Sequence, residues 1–348
     1  MRGTIILTAG GTGGHVFPAL CVAEGLMSRG HDVIIVTDIR GTKYISEIGC
    51  RIVVQKIRAH SGRFALLLSI IMCTLKATIE LILQRPAVVV SFGGYQSVPY
   101  TLSAQILGRK TVVHEQNAVI GRANKLLSKM ATKVLTSFPK TIGLNVSDKI
   151  VVVGNPTRYD RKFVNAKPPT NEIFKILVFG GSQGAKLFSE HVVDALCQIS
   201  KTRKIEVFHQ GRDADIASIK ARYEAHQVKH SVSSFFDNMN KYYEKADLVI
   251  SRSGASSVFE IIGFKKPSIL VPYKMSVNGD QEANANFLGN RGAAVVITED
   301  RLNDLSETIK ELTINRKYLA TMAQNLRDMQ VCNATDKCVA AISELCCN

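Results

Sequence analysis

Three glycine- or serine-rich turns in this chain offer main-chain N–H groups to an anion. The first, Ala9-Gly10-Gly11-Thr12-Gly13-Gly14-His15, follows the apolar run Thr4–Leu7 and leads into a helical pattern from about Pro18 to Ser28. The second, Gly180-Gly181-Ser182-Gln183-Gly184, follows Lys175–Phe179 and leads into a helical pattern from about Ala185 to Ile199. Glycine has no Cβ to hold a phosphate away, and a helix N-terminus presents unpaired N–H groups with the positive end of the helix dipole. The third, Arg252-Ser253-Gly254-Ala255-Ser256-Ser257, follows Leu248–Ser251 and adds hydroxyls to the same arrangement. Glu260, in the first turns of the helix that starts there, either favours that N-terminus or accepts hydrogen bonds from a ribose diol. His114-Glu115-Gln116-Asn117 closes another apolar run, where four polar side chains need a cleft or partners to satisfy them. Phe92-Gly93-Gly94-Tyr95 ends a neighbouring run and places flexible backbone nearby.

Several chemistries are excluded by spacing. A dinucleotide fingerprint starting at Gly11 requires glycine at position 16, where the chain has Val16, and Asp38 alone does not replace it. No G-x-x-x-x-G-K-[ST] segment is present, which argues against a P-loop nucleotidase. No tight His, Asp and Glu cluster has metal-ligand spacing, so the expectation is chemistry with no metal and no cofactor.

The bulk composition narrows the partners. With 348 residues, two domains of roughly 150 residues each are expected. The balance of 44 Lys+Arg against 29 Asp+Glu, a net +15, favours nucleic acid, anionic lipid or phosphorylated small molecules. Nucleic acid is the disfavoured choice: Trp is absent, aromatics are 7%, and no run of five basic residues occurs. The eight cysteines form no C-x-x-C pair and read as thiols in a reducing cytosol. The chain opens directly on strand Thr4–Leu7 with no apolar run of signal-peptide length, so a cytosolic location is expected.

The elements that must position these turns are apolar runs alternating with helical patterns, which predicts parallel sheets covered on both faces. Further strands are expected at Asp32–Thr37, Ala87–Ser91, Thr111–His114 and Lys133–Thr136 in the first half. In the second half they are Ile205–His209, Val232–Phe235, Leu248–Ser251, Ser268–Val271 and Ala294–Ile297. The result is two Rossmann-like domains in tandem, with ligands outside the carboxyl ends of the strands. Gly154-Asn155-Pro156-Thr157-Arg158 and the polar stretch through Pro168-Pro169 read as the hinge. Phe64–Leu83 is strongly apolar but is interrupted by Lys76 and Glu80, leaving its unbroken stretch short of the roughly 20 residues a spanning helix needs. It reads either as a buried helix or as an apolar face flanked by Arg58, Arg63, Lys76 and Arg85 that rests on anionic lipid.

Taken in order, the set Gly10–His15, Phe92–Tyr95, His114–Asn117, Gly154–Arg158, Gly180–Ala185, Ser251–Ala255 and Asp280-Gln281 with Asn284-Ala285 closely resembles the MurG family of bacterial cell-wall N-acetylglucosaminyltransferases. The resemblance runs from about residue 4 to residue 325. It implies a GT-B architecture of α/β class, two Rossmann-like domains with parallel sheets facing across a cleft. Residues 1–156 would form the acceptor- and membrane-binding domain and 157–330 the UDP-sugar-binding domain, with a helix in 331–348 returning to the first. The implied reaction is inverting transfer from UDP-N-acetylglucosamine to the C4 hydroxyl of undecaprenyl-pyrophosphoryl-muramyl-pentapeptide (lipid I), giving lipid II.

Carried over by matching positions, Phe236 would present backbone to the uracil and Glu260 would take the ribose hydroxyls. Ser182 with Ser253, Gly254, Ala255, Ser256 and Ser257 would hold the diphosphate, and Gln281 would contact sugar hydroxyls. Thr12, Gly13, Gly14 and Asn117 would reach the transferred sugar, Arg158 would complete the donor site, and Gly93, Gly94 and Tyr95 would form an acceptor-side loop. Inversion needs a base near the acceptor hydroxyl; His15 and Glu115 are the candidates, with His15 favoured because its turn faces the cleft. The resemblance further implies a peripheral enzyme on the cytoplasmic face of the bacterial inner membrane, with the cell-wall and division machinery as partners. A UDP-sugar epimerase or a diacylglycerol glycosyltransferase of the same architecture is the alternative, and a non-enzymatic membrane-binding module is a third reading.

Overall fold

The computed structural model describes residues 3–45, 48–57, 63–145, 147–159, 173–181, 186–329 and 333–347. Two units share the chain: Met1–Arg161 with Cys332–Asn348, and Lys162–Val331. Part of the expected hinge, including Pro168 and Pro169, lies outside the described residues.

The first unit is built on seven parallel strands: β1 (Thr4–Thr8), β2 (Asp32–Thr37), β3 (Arg51–Val54), β4 (Val88–Ser91), β5 (Lys110–Glu115), β6 (Lys133–Thr136) and β7 (Ile150–Val152). Their spatial order is β3-β2-β1-β4-β5-β6-β7. Ile5, Ile6, Leu7, Val88, Val89 and Val90 are fully buried, because helices cover both faces of the central strands. The edge strands β3 and β7 escape the sequence reading: they are short, and most of their residues are exposed rather than buried. The helices are α1 (Gly13–Ser28), α2 (Arg63–Gln84), α3 (Val98–Ile106) and α4 (Arg122–Leu127). Helix α1 starts at Gly13, five residues before the expected Pro18, so Gly13, Gly14 and His15 form its first turn. Pro18 sits inside it and forgoes only its own N–H bond to the preceding turn.

Helix α2 corrects the reading of Phe64–Leu83 as interrupted. It runs unbroken for 22 residues, about 33 Å at 1.5 Å per residue. Lys76 and Glu80 sit one turn apart as an ion pair at 3.9 Å, an arrangement helices tolerate. Phe64–Gln84 has mean hydropathy 2.1 and is long and apolar enough to cross a membrane by length and composition, with 11% of that window buried. One side is nevertheless fastened to the unit. Ala77 and Leu81 are buried against Ile6, Ile34, Val36 and Val89. Thr78 Oγ1 donates to Ser103 Oγ at 2.9 Å, Ser103 Oγ donates to the Thr74 carbonyl at 3.0 Å, and the Tyr100 hydroxyl donates to the Glu80 carboxylate. A helix held this way cannot span a bilayer without stripping that face from its own sheet.

The second unit carries six parallel strands: β8 (Phe174–Phe179), β9 (Ile205–Gln210), β10 (Lys229–Ser233), β11 (Leu248–Ser251), β12 (Ser268–Leu270) and β13 (Ala294–Val296). Their order is β10-β9-β8-β11-β12-β13. Its helices are α5 (Val193–Ser200), α6 (Ile216–Ala225), α7 (Met239–Lys245), α8 (Ala255–Phe264), α9 (Asp280–Gly289), α10 (Leu305–Ile314) and α11 (Arg316–Asp328). The last helix, α12 (Ala334–Cys347), belongs to the first unit, where Cys338, Val339 and Ile342 join the core of Ile5, Leu7, Val22 and Leu26. In each sheet the strand order reverses beside the first strand, between β1 and β4 and between β8 and β11. Such reversals open a crevice at the carboxyl ends of the strands. The glycine turn after β1 and the serine turn after β11 lie at these two points.

Candidate active site

In the first unit the turn after β1 meets the turn after β4. The Gly10 N–H donates to the Gly93 carbonyl at 2.9 Å. Gly93 and Gly94 have φ of +88° and +80°, and a Cβ on Gly94 would stand 2.8 Å from Gly10 Cα. Only glycine allows this approach at Gly94. The His15 ring lies over Gly93, whose added Cβ would sit 3.3 Å from His15 Nε2. Thr12, the N-cap of α1, bonds His15 Nδ1 through Oγ1 at 3.0 Å. Burial pushes the His15 pKa down to about 4, so the ring is neutral at pH 7. In the tautomer that carries its proton on Nδ1, Thr12 Oγ1 accepts and Nε2 presents a lone pair.

Glu115, the other candidate base, is 2% exposed. Its Oε1 accepts from the Asn117 N–H at 3.0 Å, and its Oε2 accepts from the Gly121 N–H and Asn124 Nδ2, both at 2.9 Å. Asn124 Nδ2 also donates to the His114 carbonyl, while Gln116 Nε2 donates to the Phe92 carbonyl. The carboxylate thus acts as the hub of the loop that presents Asn117, which is partly exposed. His114 faces inward, with Nε2 3.2 Å from the Gly154 carbonyl, and burial lowers its pKa to about 4.

Asp38 serves a similar internal purpose. It accepts from the Arg40 and Gly41 N–H groups, the Arg40 guanidinium and Gln96 Nε2. Burial alone would raise its pKa, but these donors outweigh that and hold it below the usual carboxylate range. A Cβ on Gly11 would collide with Asp38 Oδ1, so this acid packs directly against the turn. Arg40 also donates to the Tyr95 hydroxyl at 2.9 Å, linking the turns after β2 and β4. Arg158, assigned by the resemblance to the donor side, lies in the first unit with its guanidinium 4.3 Å from the Phe17 ring centroid on α1.

In the second unit the site residues divide by how free they are. Gly254 is the N-cap of α8, so the N–H groups of Ala255, Ser256 and Ser257 occupy its open first turn. Ser256 Oγ is buried without a hydrogen-bond partner. Ser253, in contrast, is fully buried and its hydroxyl donates to the Gln281 carbonyl at 2.7 Å. Its side chain therefore joins two loops rather than facing outward. Asn284 Nδ2 adds a bond to the Ser253 carbonyl, and Gln281 Oε1 accepts from the Tyr273 N–H. Arg252, to which sequence reasoning gave no role, donates to the Val271 and Pro272 carbonyls and pairs with Glu299 at 2.6 Å. Phe236 is 6% exposed and stacks on Tyr242, with centroids 4.0 Å apart. Glu260 keeps partial exposure on α8. Ser182, with Gln183, Gly184 and Ala185, lies outside the described residues.

Among the described residues no group of three or more His, Cys, Asp or Glu is arranged to hold a metal ion. One triplet corrects the expectation that the sequence holds no D-x-D motif: Asp213-Ala214-Asp215 has that metal–diphosphate form. Asp215 is committed internally, to Arg212 at 2.8 Å and Ser189 Oγ at 2.7 Å.

Comparison with known proteins places these features in one lineage. Residues 5–136 match the glycosyltransferase family 28 N-terminal domain, and residues 175–337 match the glycosyltransferase family 28 C-terminal domain. A UDP-N-acetylglucosamine--N-acetylmuramyl-(pentapeptide) pyrophosphoryl-undecaprenol N-acetylglucosamine transferase from Allorhizobium ampelinum is 38% identical, covering 94% of this chain and 91% of the relative. A protein of the same name from Shewanella baltica is 36% identical, covering 97% and 96%. The crystal structure of Acinetobacter baumannii MurG superposes with a TM-score of 0.83 at 31% identity, covering 99% of this chain and all of that one. With both halves matched in order and relatives similar over nearly its whole length, the chain belongs to glycosyltransferase family 28 and, within it, to the MurG family of N-acetylglucosamine transferases.

Proposed function

We propose that this chain transfers N-acetylglucosamine, with inversion, from UDP-N-acetylglucosamine to the C4 hydroxyl of lipid I, forming lipid II. The second unit takes the donor. Glu260 accepts from the ribose diol, the Phe236 backbone meets the uracil, and Gln281 meets sugar hydroxyls. The open first turn of α8, with Ser256 Oγ, receives the diphosphate. Breaking the anomeric bond leaves negative charge on UDP, which N–H groups and a helix dipole stabilise where they already point. The first unit takes the acceptor, with the Gly93-Gly94-Tyr95 turn beside His15, and its Thr12, Gly13, Gly14 and Asn117 meet the transferred sugar. The acceptor oxygen attacks the anomeric carbon on the face opposite UDP, and its proton passes to His15 Nε2. Glu115 holds the Asn117 loop.

The observation that carries the donor half is a partly exposed Glu260 beside a helix N-terminus with an orphan serine hydroxyl, in a family 28 chain. Radiolabel transfer from UDP-N-acetylglucosamine to a short-chain lipid I analogue, with and without EDTA, tests the reaction. Product is expected in both conditions; no transfer sinks the proposal, and loss with EDTA sinks its metal-free form.

The same reading places the enzyme peripherally on the cytoplasmic face of the inner membrane, against anionic lipid and among the cell-wall and division machinery. Its support is the outer side of α2. Phe64, Leu67, Leu68, Ile71, Met72, Leu75, Ile79, Ile82 and Leu83 are all exposed, and Lys76 and Arg85 stand exposed with them. The side chains of Arg58 and Arg63 fall outside the described residues. An apolar helix face with adjacent basic charge settles at the headgroup boundary of an anionic bilayer.

A further inference from the structure

We infer that Tyr243 is a positioning residue for the donor's ribose, acting through Glu260; the inference rests on the reading of Glu260 as the ribose acid. Tyr243 lies on α7 and is fully buried, so it touches no substrate itself. Its hydroxyl donates to Glu260 Oε2 at 3.0 Å. Its ring stacks on Phe264, with centroids 4.6 Å apart and planes 3° from parallel. Phe264 follows Glu260 by one turn of α8, so one tyrosine grips the helix at two successive turns of a single face. A third contact is edge-to-face with Phe179, the last residue of β8, at 5.8 Å.

A carboxylate that accepts from two vicinal hydroxyls must point both oxygens at them, and a free glutamate side chain samples several rotamers. Tyr243 removes much of that freedom. Its hydroxyl occupies one lone pair of Oε2 and so sets the direction in which the carboxylate meets a ribose diol. The stacked ring fixes where the hydroxyl stands, because a tyrosine packed on both sides has no alternative rotamer. The residue therefore tunes recognition of ribose and not of uracil or diphosphate.

The test measures binding of UDP and of 2′,3′-dideoxy-UDP to the full chain by calorimetry, for wild type, Tyr243→Phe, Glu260→Ala and the double variant. Tyr243→Phe keeps the ring and its stacking. It is expected to weaken UDP about tenfold, the size of one charge-assisted hydrogen bond's effect, and to leave the dideoxy ligand within about twofold. In the Glu260→Ala background the same change is expected to have no further effect. Glu260→Asp, which draws the carboxylate back by one methylene, gives a second route to the same selective loss if Tyr243→Phe folds poorly. Equal weakening of both ligands by Tyr243→Phe or Glu260→Asp would overturn the inference, as would unchanged UDP binding in Tyr243→Phe while Glu260→Ala loses it. If Glu260→Ala itself leaves the UDP preference intact, the ribose reading of Glu260 is what fails.

Discussion

Replacing Glu115 by glutamine separates a base from a loop hub. A general base on the protein contributes through its charge in the transition state, and its amide isostere should fold as well as wild type. The geometry around Glu115 predicts otherwise. Three N–H donors converge on its two oxygens at 2.9–3.0 Å, in a place where only 2% of the residue is exposed. Glutamine offers one acceptor oxygen and one NH2 group, so at least one of the Asn117 N–H, Gly121 N–H and Asn124 Nδ2 donors must face another donor. Losing one charge-assisted bond and leaving a buried N–H unpaired amounts to about 2–4 kcal/mol. For a unit of this size that is a fall in melting temperature of roughly 4–16 °C at 2–4 °C per kcal/mol. The assay pairs urea unfolding with lipid I turnover for Glu115→Gln and His15→Ala. Glu115→Gln should lose stability and activity together, whereas His15→Ala should lose about 10²–10⁴ in turnover with a smaller stability change. A Glu115→Gln protein that melts with wild type yet has lost turnover a thousandfold would refute the reasoning and return the base to Glu115.

Acid should destabilise the folded chain in a defined window. Burial lowers the pKa values of His15 and His114 to about 4 and of His209 to about 3, against 6.5 when exposed. Stability from such groups is full above pH 6.5 and falls as pH drops toward the folded values. By pH 5 the loss is about 2 kcal/mol per histidine, two of them in the first unit and one in the second. Acid titration followed by urea melts should show the first unit giving way before the second; a flat profile between pH 7 and pH 5 contradicts it. Gly94→Ala, with φ of +80° and a Cβ 2.8 Å from Gly10 Cα, should cost about 3 kcal/mol in urea denaturation and displace the His15 turn. Leu75→Glu and Ile79→Glu on α2, each about 60% exposed, should each weaken sedimentation with anionic vesicles about tenfold while leaving the melting temperature in place. Unchanged vesicle binding would remove α2 as the docking face.

The sheets were legible because buried parallel strands have a plain signature. Ile5-Ile6-Leu7 and Val88-Val89-Val90 are apolar whichever face they present. Strands β3 and β7 lack that signature, as edge positions leave most of their side chains in water. The turns were legible as glycine- and serine-rich links from strand to helix, yet the division of labour inside them was not. Whether Ser253 or Ser256 is free depends on the register of α8 against α9, a packing property with no mark in the local sequence. Glu115 shows the same limit. Its partners Gly121 and Asn124 lie six and nine residues downstream, close enough to notice but uninterpretable until a turn brings them back. Tyr243 and Arg252 act through residues distant in sequence, and their chemistry alone suggested nothing beyond packing and charge.

The return of α12 to the first unit has a consequence for biosynthesis. Lys133 pairs with Glu344 at 2.6 Å, and Lys110 Nζ donates to the Leu345 carbonyl at 2.9 Å, so the first unit is closed by residues that follow the second unit in the chain. Docking α12 across an unfolded insert of about 170 residues would carry a closure entropy of roughly 4–5 kcal/mol, which falls sharply once the insert has collapsed into its own fold. The core of the first unit, which Val339 and Ile342 help to fill, is thus completed only by residues synthesised after the whole of the second unit.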